Sequence, residues 1–442
     1  VIGLARGLSR TVEILIDPLL RFFQSVPPLL WAIPVLFIAG FGFFTPIPVI
    51  VLIVLPVVTM SFSEQIKTLP DSAREMVALF APGPVPFLRE LILPHVRPAF
   101  IASVQLGLGL AVKAAVVGEF FSAGGGAGQM INAAFQTARL RSLYAWGLVI
   151  VVLVIGLDAV VKRTIRAVAP ARDTIRRNER RFFERRIPAV RRAEPQAPLS
   201  PISASARRSS SIHGRDGKNV SHETRNRDAG AIRLTRVAFA YRGTTSVDPI
   251  PDVFQNLSLT IGKKKVAIIY GDSGVGKTTL LKLIAGLLAP GRGTVVAPRE
   301  RPSFLFQEDR LLDHRTVAGN AALPLPTRGP EAGLAVAWTF SLLERIGLAA
   351  VCWAFPDELS GGMKRRLQLA RCFARPPSLL LLDEPFHGLH KKARCDLWEE
   401  FLTLWKESPC PAVFVTHHPE ELPRLEFISF YELTPQGLIR NR

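Results

Sequence analysis

The chain has 442 residues, 48% of them hydrophobic, and a formal net charge of +19. This length predicts two or three domains, and an apolar fraction so high in so basic a chain indicates a mixture of membrane and soluble parts. The four cysteines have no metal-ligand spacing, which excludes a cysteine metal centre and predicts reduced thiols in a cytoplasmic domain. These cysteines are Cys352, Cys372, Cys395 and Cys410.

Apolar runs dominate residues 1–165 and predict about four membrane spans. The runs are Leu29–Phe44, Pro46–Met60, Ala99–Phe121 and Leu143–Val161. The first two are a little shorter than the roughly 20 residues that cross hydrocarbon. Thr11–Gln24 has the pattern of an amphipathic helix at the membrane surface.

Basic residues follow the second and the fourth predicted span. By the positive-inside tendency, both the 61–97 stretch and the chain from Lys162 onward are cytoplasmic. Two charges, Lys113 and Glu119, fall in the third span. Lys113 either lines a transport path or pairs within the bundle, and Glu119 is next to a glycine turn that would place it at the interface.

Residues 169–230 are rich in Arg, Ser and Pro, which predicts a disordered linker. From Lys162 to Asp228 there are 18 Lys and Arg but only 7 Asp and Glu. Its charge would allow the linker to bind anionic lipid headgroups, but a solvated tether on the cytoplasmic face is the favoured alternative. Aromatic residues are almost absent, which argues against nucleic-acid binding.

Short β-type runs alternate with helical patterns from Ala231 onward and predict an α/β domain with a largely parallel sheet. Val266–Tyr270 reads as a buried strand and Leu280–Leu288 as a helix. Between them a Gly-x4-Gly-Lys-Thr pattern predicts a phosphate-binding loop rather than a glycine turn that binds nothing. Lys277 would reach the β- and γ-phosphates, and the Thr278 hydroxyl would ligate Mg²⁺. The predicted contacts are Gly271, Asp272, Ser273, Gly274, Val275, Gly276, Lys277, Thr278 and Thr279.

A second apolar strand, Leu379–Leu382, ends in Asp383 and Glu384. Ligands of open α/β sheets sit at the carboxyl ends of the strands. Asp383 is therefore predicted to hold Mg²⁺, and Glu384 to polarise the attacking water. A further predicted helix start, Leu359–Met363, presents a serine and two glycines to an anion.

The order of these motifs, with Gln307 and His417 between and after them, resembles the ATPase of ATP-binding cassette (ABC) transporters over residues 231–420. The resemblance implies a head-to-tail dimer with two ATP molecules between the ATPase domains, in which each subunit completes the other's site. Gln307 would sense Mg²⁺ and water, and His417 would contact the γ-phosphate and hold Glu384. Tyr241 would stack on adenine. The residues completing the opposite site would be Ser360, Gly361 and Gly362.

Two positions depart from the family pattern. Met363 ends the Leu359–Met363 motif, the family's signature motif, where Gln is usual. Several importers of this type share this change. His390 stands where the family usually has Asp, which helps to couple the two sites. This puts cooperativity between the sites in doubt, but not ATP binding.

The 61–97 stretch resembles the cytoplasmic coupling motif of importer permeases. Glu75, Ala81 and Leu93-Pro94 keep the family spacing, which implies a short helix that docks on the ATPase beside Gln307. Sequences around residues 93–100, 117–121 and 306–312 resemble transporters for nitrate, sulfonates and taurine. That group also includes importers of thiamine-precursor pyrimidines and of riboflavin.

We therefore expect an all-α permease bundle (1–168), a basic linker (169–230) and an α/β ABC ATPase (231–442), fused in one chain. Permeases of this group usually have six spans, and Gly3–Leu20 resembles the stretch after the second, so two N-terminal spans are expected to be missing. The expected cofactors are ATP and Mg²⁺. The expected partners are a second copy or a second permease/ATPase chain, a periplasmic or lipid-anchored solute-binding protein and the lipids of a bacterial inner membrane, with no nucleic acid.

Three other readings are weighed against this one. A degenerate or regulatory ATP-binding membrane protein is motivated by the expected absence of two spans, the altered coupling motif and His390. A soluble cassette ATPase of DNA repair or translation is disfavoured by the apolar half. An exporter is disfavoured by the Glu75 motif.

Overall fold

The structure, a computed structural model, describes residues 2–40, 46–81, 83–121, 125–168, 172–185, 230–241, 252–325, 331–434 and 437–441. These residues fall into two compact units. The first comprises residues 1–74 and 83–171, and the second residues 75–82 and 172–442.

The first unit is helical. Helix α5 (Asp71–Phe80) begins in it and continues into the second unit from Glu75. The other helices are α1 (Ile2–Leu8), α2 (Arg10–Ser25), α3 (Pro28–Ala39), α4 (Pro46–Lys67), α6 (Pro84–Phe121, π-helical over Phe87–Ile92), α7 (Ala127–Gln136) and α8 (Leu140–Val168).

Among the described residues, three helices are long and apolar enough to cross a membrane: α4, α6 and residues 140–164 of α8. They contain the second, third and fourth predicted spans. Of the first predicted span, Leu29–Phe44, the structure describes helix only to Ala39, in a helix of 12 residues, and residues 41–44 lie outside the described residues. A fourth span therefore stays a prediction.

The predicted amphipathic helix is present as α2. Its first turn is capped by Ser9, whose hydroxyl accepts from the Val12 amide. The side chain of Glu119 accepts from the amide of Gly128 at 2.9 Å, at the start of α7. Glu119 therefore joins the end of α6 to the start of α7, and Lys113 is exposed on α6.

The disorder predicted for 169–230 is wrong for residues 172–184, which form a helix, α9 (Arg172–Glu184). Composition alone missed it because packing on the second unit stabilises the helix: Glu179 and Phe183 are buried. By its contacts the second unit includes residues from 172 onward, and an ATPase beginning at residue 231 stays a prediction. Residues 169–171 and 186–229 lie outside the described residues.

The rest of the second unit is α/β. Its strands are β1 (Ile232–Phe239), β2 (Phe254–Ile261), β3 (Val266–Tyr270), β4 (Arg292–Val296), β5 (Pro302–Leu305), β6 (Leu379–Asp383), β7 (Ala412–Val415), β8 (Ile428–Thr434) and β9 (Gly437–Asn441). Its helices after α9 are α10 (Lys277–Ala285), α11 (Val317–Ala321), α12 (Glu331–Arg345), α13 (Gly361–Phe373) and α14 (Lys391–Glu407).

The larger sheet has the order β5-β6-β7-β3-β8-β9 and is parallel except for the last pair. A smaller antiparallel sheet has the order β2-β1-β4. Strands β6 and β7 are buried along their whole length, as continuous apolar runs in a parallel sheet predict. Because β3, β5, β6 and β7 run parallel, the residues that follow them meet at one edge of the sheet.

Candidate active site

The phosphate loop leaves β3 and enters α10 through residues whose backbone only glycine tolerates. Gly276 has a φ of 105°, and a Cβ there would lie 2.6 Å from Val253. A Cβ on Gly271 would lie 2.4 Å from the carbonyl oxygen of Leu433. Helix α10 begins at Lys277, three residues earlier than predicted, and has no side-chain cap. Its first amides are therefore available to an anion.

Lys277 is held over this loop. Its ammonium donates to the carbonyl oxygens of Gly271 and Asp272, at 2.9 and 2.8 Å. Burial lowers the pKa of Lys277, although Glu384 and Asp383 act in the opposite direction. The loop therefore presents a positive charge where nucleotide phosphates are predicted to bind.

The two carboxylates after β6 have different surroundings. Asp383 is 2% exposed, and burial raises its pKa to about 6 in spite of a hydrogen bond from Thr278. Its Oδ1 is buried without a hydrogen-bond partner among the described residues. A buried carboxylate oxygen with no donor, beside a threonine hydroxyl, suits a hard divalent cation.

Glu384 has a left-handed backbone, with a φ of 46°. Such a conformation is strained for a residue other than glycine and is typical of functional sites. Its carboxylate accepts from Gln307 Nε2 at 3.2 Å and lies 2.8 Å from His417 Nε2. The structure thus brings together the three residues predicted to act on water.

Sequence reasoning missed the buried arginine that holds the Gln307 segment. Arg365, on α13, is 5% exposed and donates to the carbonyl oxygens of Phe306 (2.7 Å) and Gln307. One turn later on the same helix, Gln368 donates to Asp309 at 2.9 Å. The i, i+3 spacing of these polar residues was the available signal.

Ser360 caps helix α13, since its hydroxyl accepts from the Met363 amide at 3.4 Å. Ser360 and Gly361 are exposed, and a Cβ on Gly361 would meet nothing within 4 Å. Gly362 is next in the helix. This helix start is therefore open to a ligand that approaches from outside the unit.

Tyr241 lies at the edge of the phosphate-loop helix. Its hydroxyl is 3.0 Å from that of Thr279, and its ring meets Phe239 edge-on. The side chain is 45% exposed, which leaves part of the ring accessible for stacking.

The C-terminal part of α5 belongs to this unit and is bound by two cations. Glu75 Oε1 lies 2.8 Å from Lys282 on α10, and Oε2 lies 2.8 Å from Arg310, three residues after Gln307. Burial raises the pKa of Glu75, but the two cations outweigh it and leave the pKa lowered. Phe80 lies under the Arg371 guanidinium at 4.6 Å. Ala81 follows the end of α5, and Leu93-Pro94 belongs to α6 of the first unit.

His390 occupies the N-cap position of α14, where its Nδ1 accepts from the Ala393 amide at 3.3 Å. An aspartate at this position would form the same kind of cap. The substitution therefore keeps the helix start while removing a negative charge from the surface.

This combination defines a P-loop ATPase: a phosphate loop at a helix start, a buried carboxylate after a parallel strand, and a glutamate held by glutamine and histidine. Residues 254–387 match the family described as ABC transporter, and residues 1–173 match the one described as binding-protein-dependent transport system inner membrane component.

Curated relatives agree with these matches. The taurine import ATP-binding protein of Yersinia pestis is 36% identical over 174 residues, which are 38% of this chain and 68% of that protein. The thiamine import ATP-binding protein of Haemophilus influenzae is 41% identical over 177 residues, 38% of this chain and 81% of that protein. The aliphatic sulfonates import ATP-binding protein of a Mycobacterium species is 37% identical over 188 residues, 42% and 76% of the respective chains.

Among solved structures, the dimeric cassette MJ0796 of a bacterial ABC transporter covers 47% of this chain and 96% of its own, with 25% identity and a TM-score of 0.42. The chain belongs to the ABC transporter family. It combines a permease region with an ATPase that binds ATP and couples its hydrolysis to transport, as in importers.

Proposed function

We propose that the chain is one protomer of an importer that takes up a small solute of the nitrate, sulfonate or taurine type. The solute type rests on the taurine and aliphatic sulfonate relatives. The observation that carries the coupling of ATPase to permease is the double ion pair of Glu75. It links the coupling helix α5 to the phosphate-loop helix through Lys282 and to the Gln307 segment through Arg310. A change at either nucleotide-contacting segment would therefore move α5.

The geometry of the site supports the following roles. Lys277 and the amides at the start of α10 bind the phosphates, and Tyr241 stacks on adenine. Thr278, Gln307 and Asp383 would hold Mg²⁺, which neutralises phosphate charge when bound. Glu384 polarises the attacking water, and His417 and Gln307 hold its carboxylate in register.

The open end of α13 supports a site completed by a second protomer. Ser360, Gly361 and Gly362 would contact the nucleotide of the opposite subunit, either a second copy of this chain or another permease/ATPase chain. The proposed setting is a bacterial inner membrane with the ATPase on the cytoplasmic side. A periplasmic or lipid-anchored binding protein would deliver the solute.

A second solute class is a thiamine-precursor pyrimidine. Among the relatives named above, the thiamine import ATP-binding protein has the highest identity, 41%. Uptake of radiolabelled taurine, compared with uptake of the pyrimidine in the same proteoliposomes, separates the two classes.

The test of the ATPase is steady-state MgATP hydrolysis by the full chain in lipid nanodiscs. Glu384→Gln keeps the shape of the side chain but removes its basicity, and we expect it to lower turnover by at least about 100-fold while ATP binding is retained. Glu344→Gln, an exposed change on α12, is the matched control and should leave turnover unchanged. Equal turnover in Glu384→Gln and the parent would remove the assignment of Glu384.

A further inference from the structure

Helix α9 binds the ATPase through a buried carboxylate. Glu179 is 7% exposed, and its carboxylate accepts from the Thr316 amide at 3.1 Å and from the Thr316 hydroxyl. It also lies 2.9 Å from Arg315 Nη1. A buried charge with three donors holds its element in a defined position, because moving the carboxylate away from them would leave a buried charge with fewer partners.

The same helix makes a second set of contacts, with Phe340 on α12 and with the segment 353–358. The Phe183 ring packs against Phe340 and Trp353, with centroids 5.6 and 5.8 Å away. Arg172 pairs with Asp357 at 2.7 Å and Arg176 with Glu358 at 3.0 Å.

The segment 353–358, which α9 contacts, leads directly into helix α13. Glu358 accepts from the Phe355 amide at 2.7 Å and so shapes the turn. Two residues later Ser360 caps α13. The guanidinium groups of Arg172 and Arg176 lie 5.2 and 5.4 Å from the centre of the Phe355 ring. Position and orientation of α9 are thereby linked to the start of α13.

The other end of α9 is covalently close to a candidate span. Helix α8 ends at Val168 and α9 begins at Arg172, so only three residues connect them. Val168 and Arg172 are four Cα–Cα steps apart, at most about 14 Å in an extended chain, which limits how far the end of the span can move without moving α9.

We propose that α9 is a second coupling link, made in cis, and that Glu179 is its positioning residue. The link joins the last span to the segment before Ser360, independently of α5, which acts on Lys282 and Arg310. This inference rests on the proposed function, since the link matters only if ATP binding at the signature moves the permease.

The experiment reads movement at the end of α8 in the full chain in nanodiscs. Cys395, the exposed one of the four thiols, is replaced by Ser, and the exposed Thr164 by Cys. Glu384→Gln is added so that MgATP stays bound. We expect MgATP to change the rate at which a water-soluble maleimide labels Cys at position 164.

Two variants weaken the link from opposite sides. Glu179→Gln removes the buried charge. Gly319→Ala places a Cβ 2.7 Å from Glu179 Oε1 while leaving α9 unchanged. Each should reduce the MgATP-dependent change in labelling at least about fivefold, the lower end of typical coupling between sites. Glu184→Gln is the matched control: it lies on the same helix but pairs with Arg180 of α9, and it should leave the change intact.

MgATP binding is measured separately on each protein, with a fluorescent ATP analogue. Loss of binding in the parent contradicts the proposed function rather than the link. If Glu179→Gln and Gly319→Ala both bind MgATP and both show an undiminished labelling change, the inference is overturned. Helix α9 would then have only a structural role. If the parent binds MgATP but shows no change at position 164, the link transmits nothing and the inference is equally wrong. Should Glu179→Gln fail to fold, Gly319→Ala decides the question alone.

Discussion

The two units place similar apolar sequences in different surroundings. In the ATPase unit, β6 and β7 are buried along their whole length. In the helical unit, no part of the most apolar 18-residue window of α8 is buried within the protein, and Leu148, Val152, Leu153 and Ile155 are more than half exposed. Hydropathy therefore does not distinguish a core strand from a lipid-facing helix. The length of the run does, because only the longer one spans hydrocarbon.

The two units also pack differently. In the ATPase, large rings fill the interior, as where Phe304 stacks on Phe306 at 4.2 Å. In the helical unit, α4 and α6 approach through glycine, and a Cβ on Gly118 would lie 2.9 Å from the Cα of Pro46. In lipid, burial of apolar surface does not drive two helices together. Close approach of their backbones stabilises the pair instead.

The sharpest test of this difference is a pair of identical substitutions. Leu381 in β6 is fully buried and Leu153 in α8 is 56% exposed. Leu381→Ala should cost about 2–5 kcal/mol through lost burial and a cavity. Leu153→Ala should cost about 0.5 kcal/mol, because the side chain only exchanges contacts with lipid.

Urea unfolding of the chain in nanodiscs, monitored by hydrogen exchange in each unit, measures the loss of unfolding free energy in both variants. Similar losses in the two variants would mean that α8 has a protein partner rather than lipid around Leu153.

The buried strands of the ATPase were easier to predict from the sequence than helix α9. Leu379–Leu382 was assignable because a short, wholly apolar run before two carboxylates has few alternatives in an α/β chain. Helix α9 was not, because its stability comes from Glu179 and Phe183 meeting residues more than 130 positions away. The meeting of Gln307, Glu384 and His417 followed only from family resemblance, since spacing along the chain does not report proximity between strands.

Burial of the Asp383 carboxylate in the ATPase should also have a measurable effect on the stability of the folded protein. Its pKa is about 6 in the folded protein and 3.8 ordinarily, because burial disfavours the charged form. Stability from this group is therefore greatest below pH 3.8, falls as the pH rises towards 6 and is constant above it.

Asp383→Asn should remove this pH dependence. Relative to the parent, the variant should gain on the order of 2 kcal/mol between pH 4 and pH 8, from about 1.4 kcal/mol per pKa unit. The thermal unfolding transition of the ATPase, recorded in EDTA without nucleotide, measures this difference in stability. Asp252→Asn, at an exposed carboxylate, is the control, and a parallel pH profile in Asp383→Asn and the parent would contradict the raised pKa.

Glycine packing in the helical unit offers a smaller effect with an internal control. Gly118→Ala should cost about 1–3 kcal/mol, because the new methyl group meets the backbone of Pro46. Gly109→Ala lies on the same helix, where a Cβ would meet nothing within 4 Å. It should be neutral or slightly stabilising. Thermal inactivation in nanodiscs compares them, and equal tolerance of both changes would show that α4 and α6 do not approach closely in the membrane.

The smallest effect concerns an exposed cap that belongs to neither core. His390→Ala removes the acceptor for the Ala393 amide and should cost about 1 kcal/mol, whereas His390→Asp should retain the cap. The Asp variant also restores the charge that the family usually has there, so it separates a helix cap from a role between sites. If His390→Asp raises the cooperativity of MgATP hydrolysis while leaving the unfolding temperature unchanged, the histidine weakens coupling between sites. If neither changes, capping is the whole contribution of this residue.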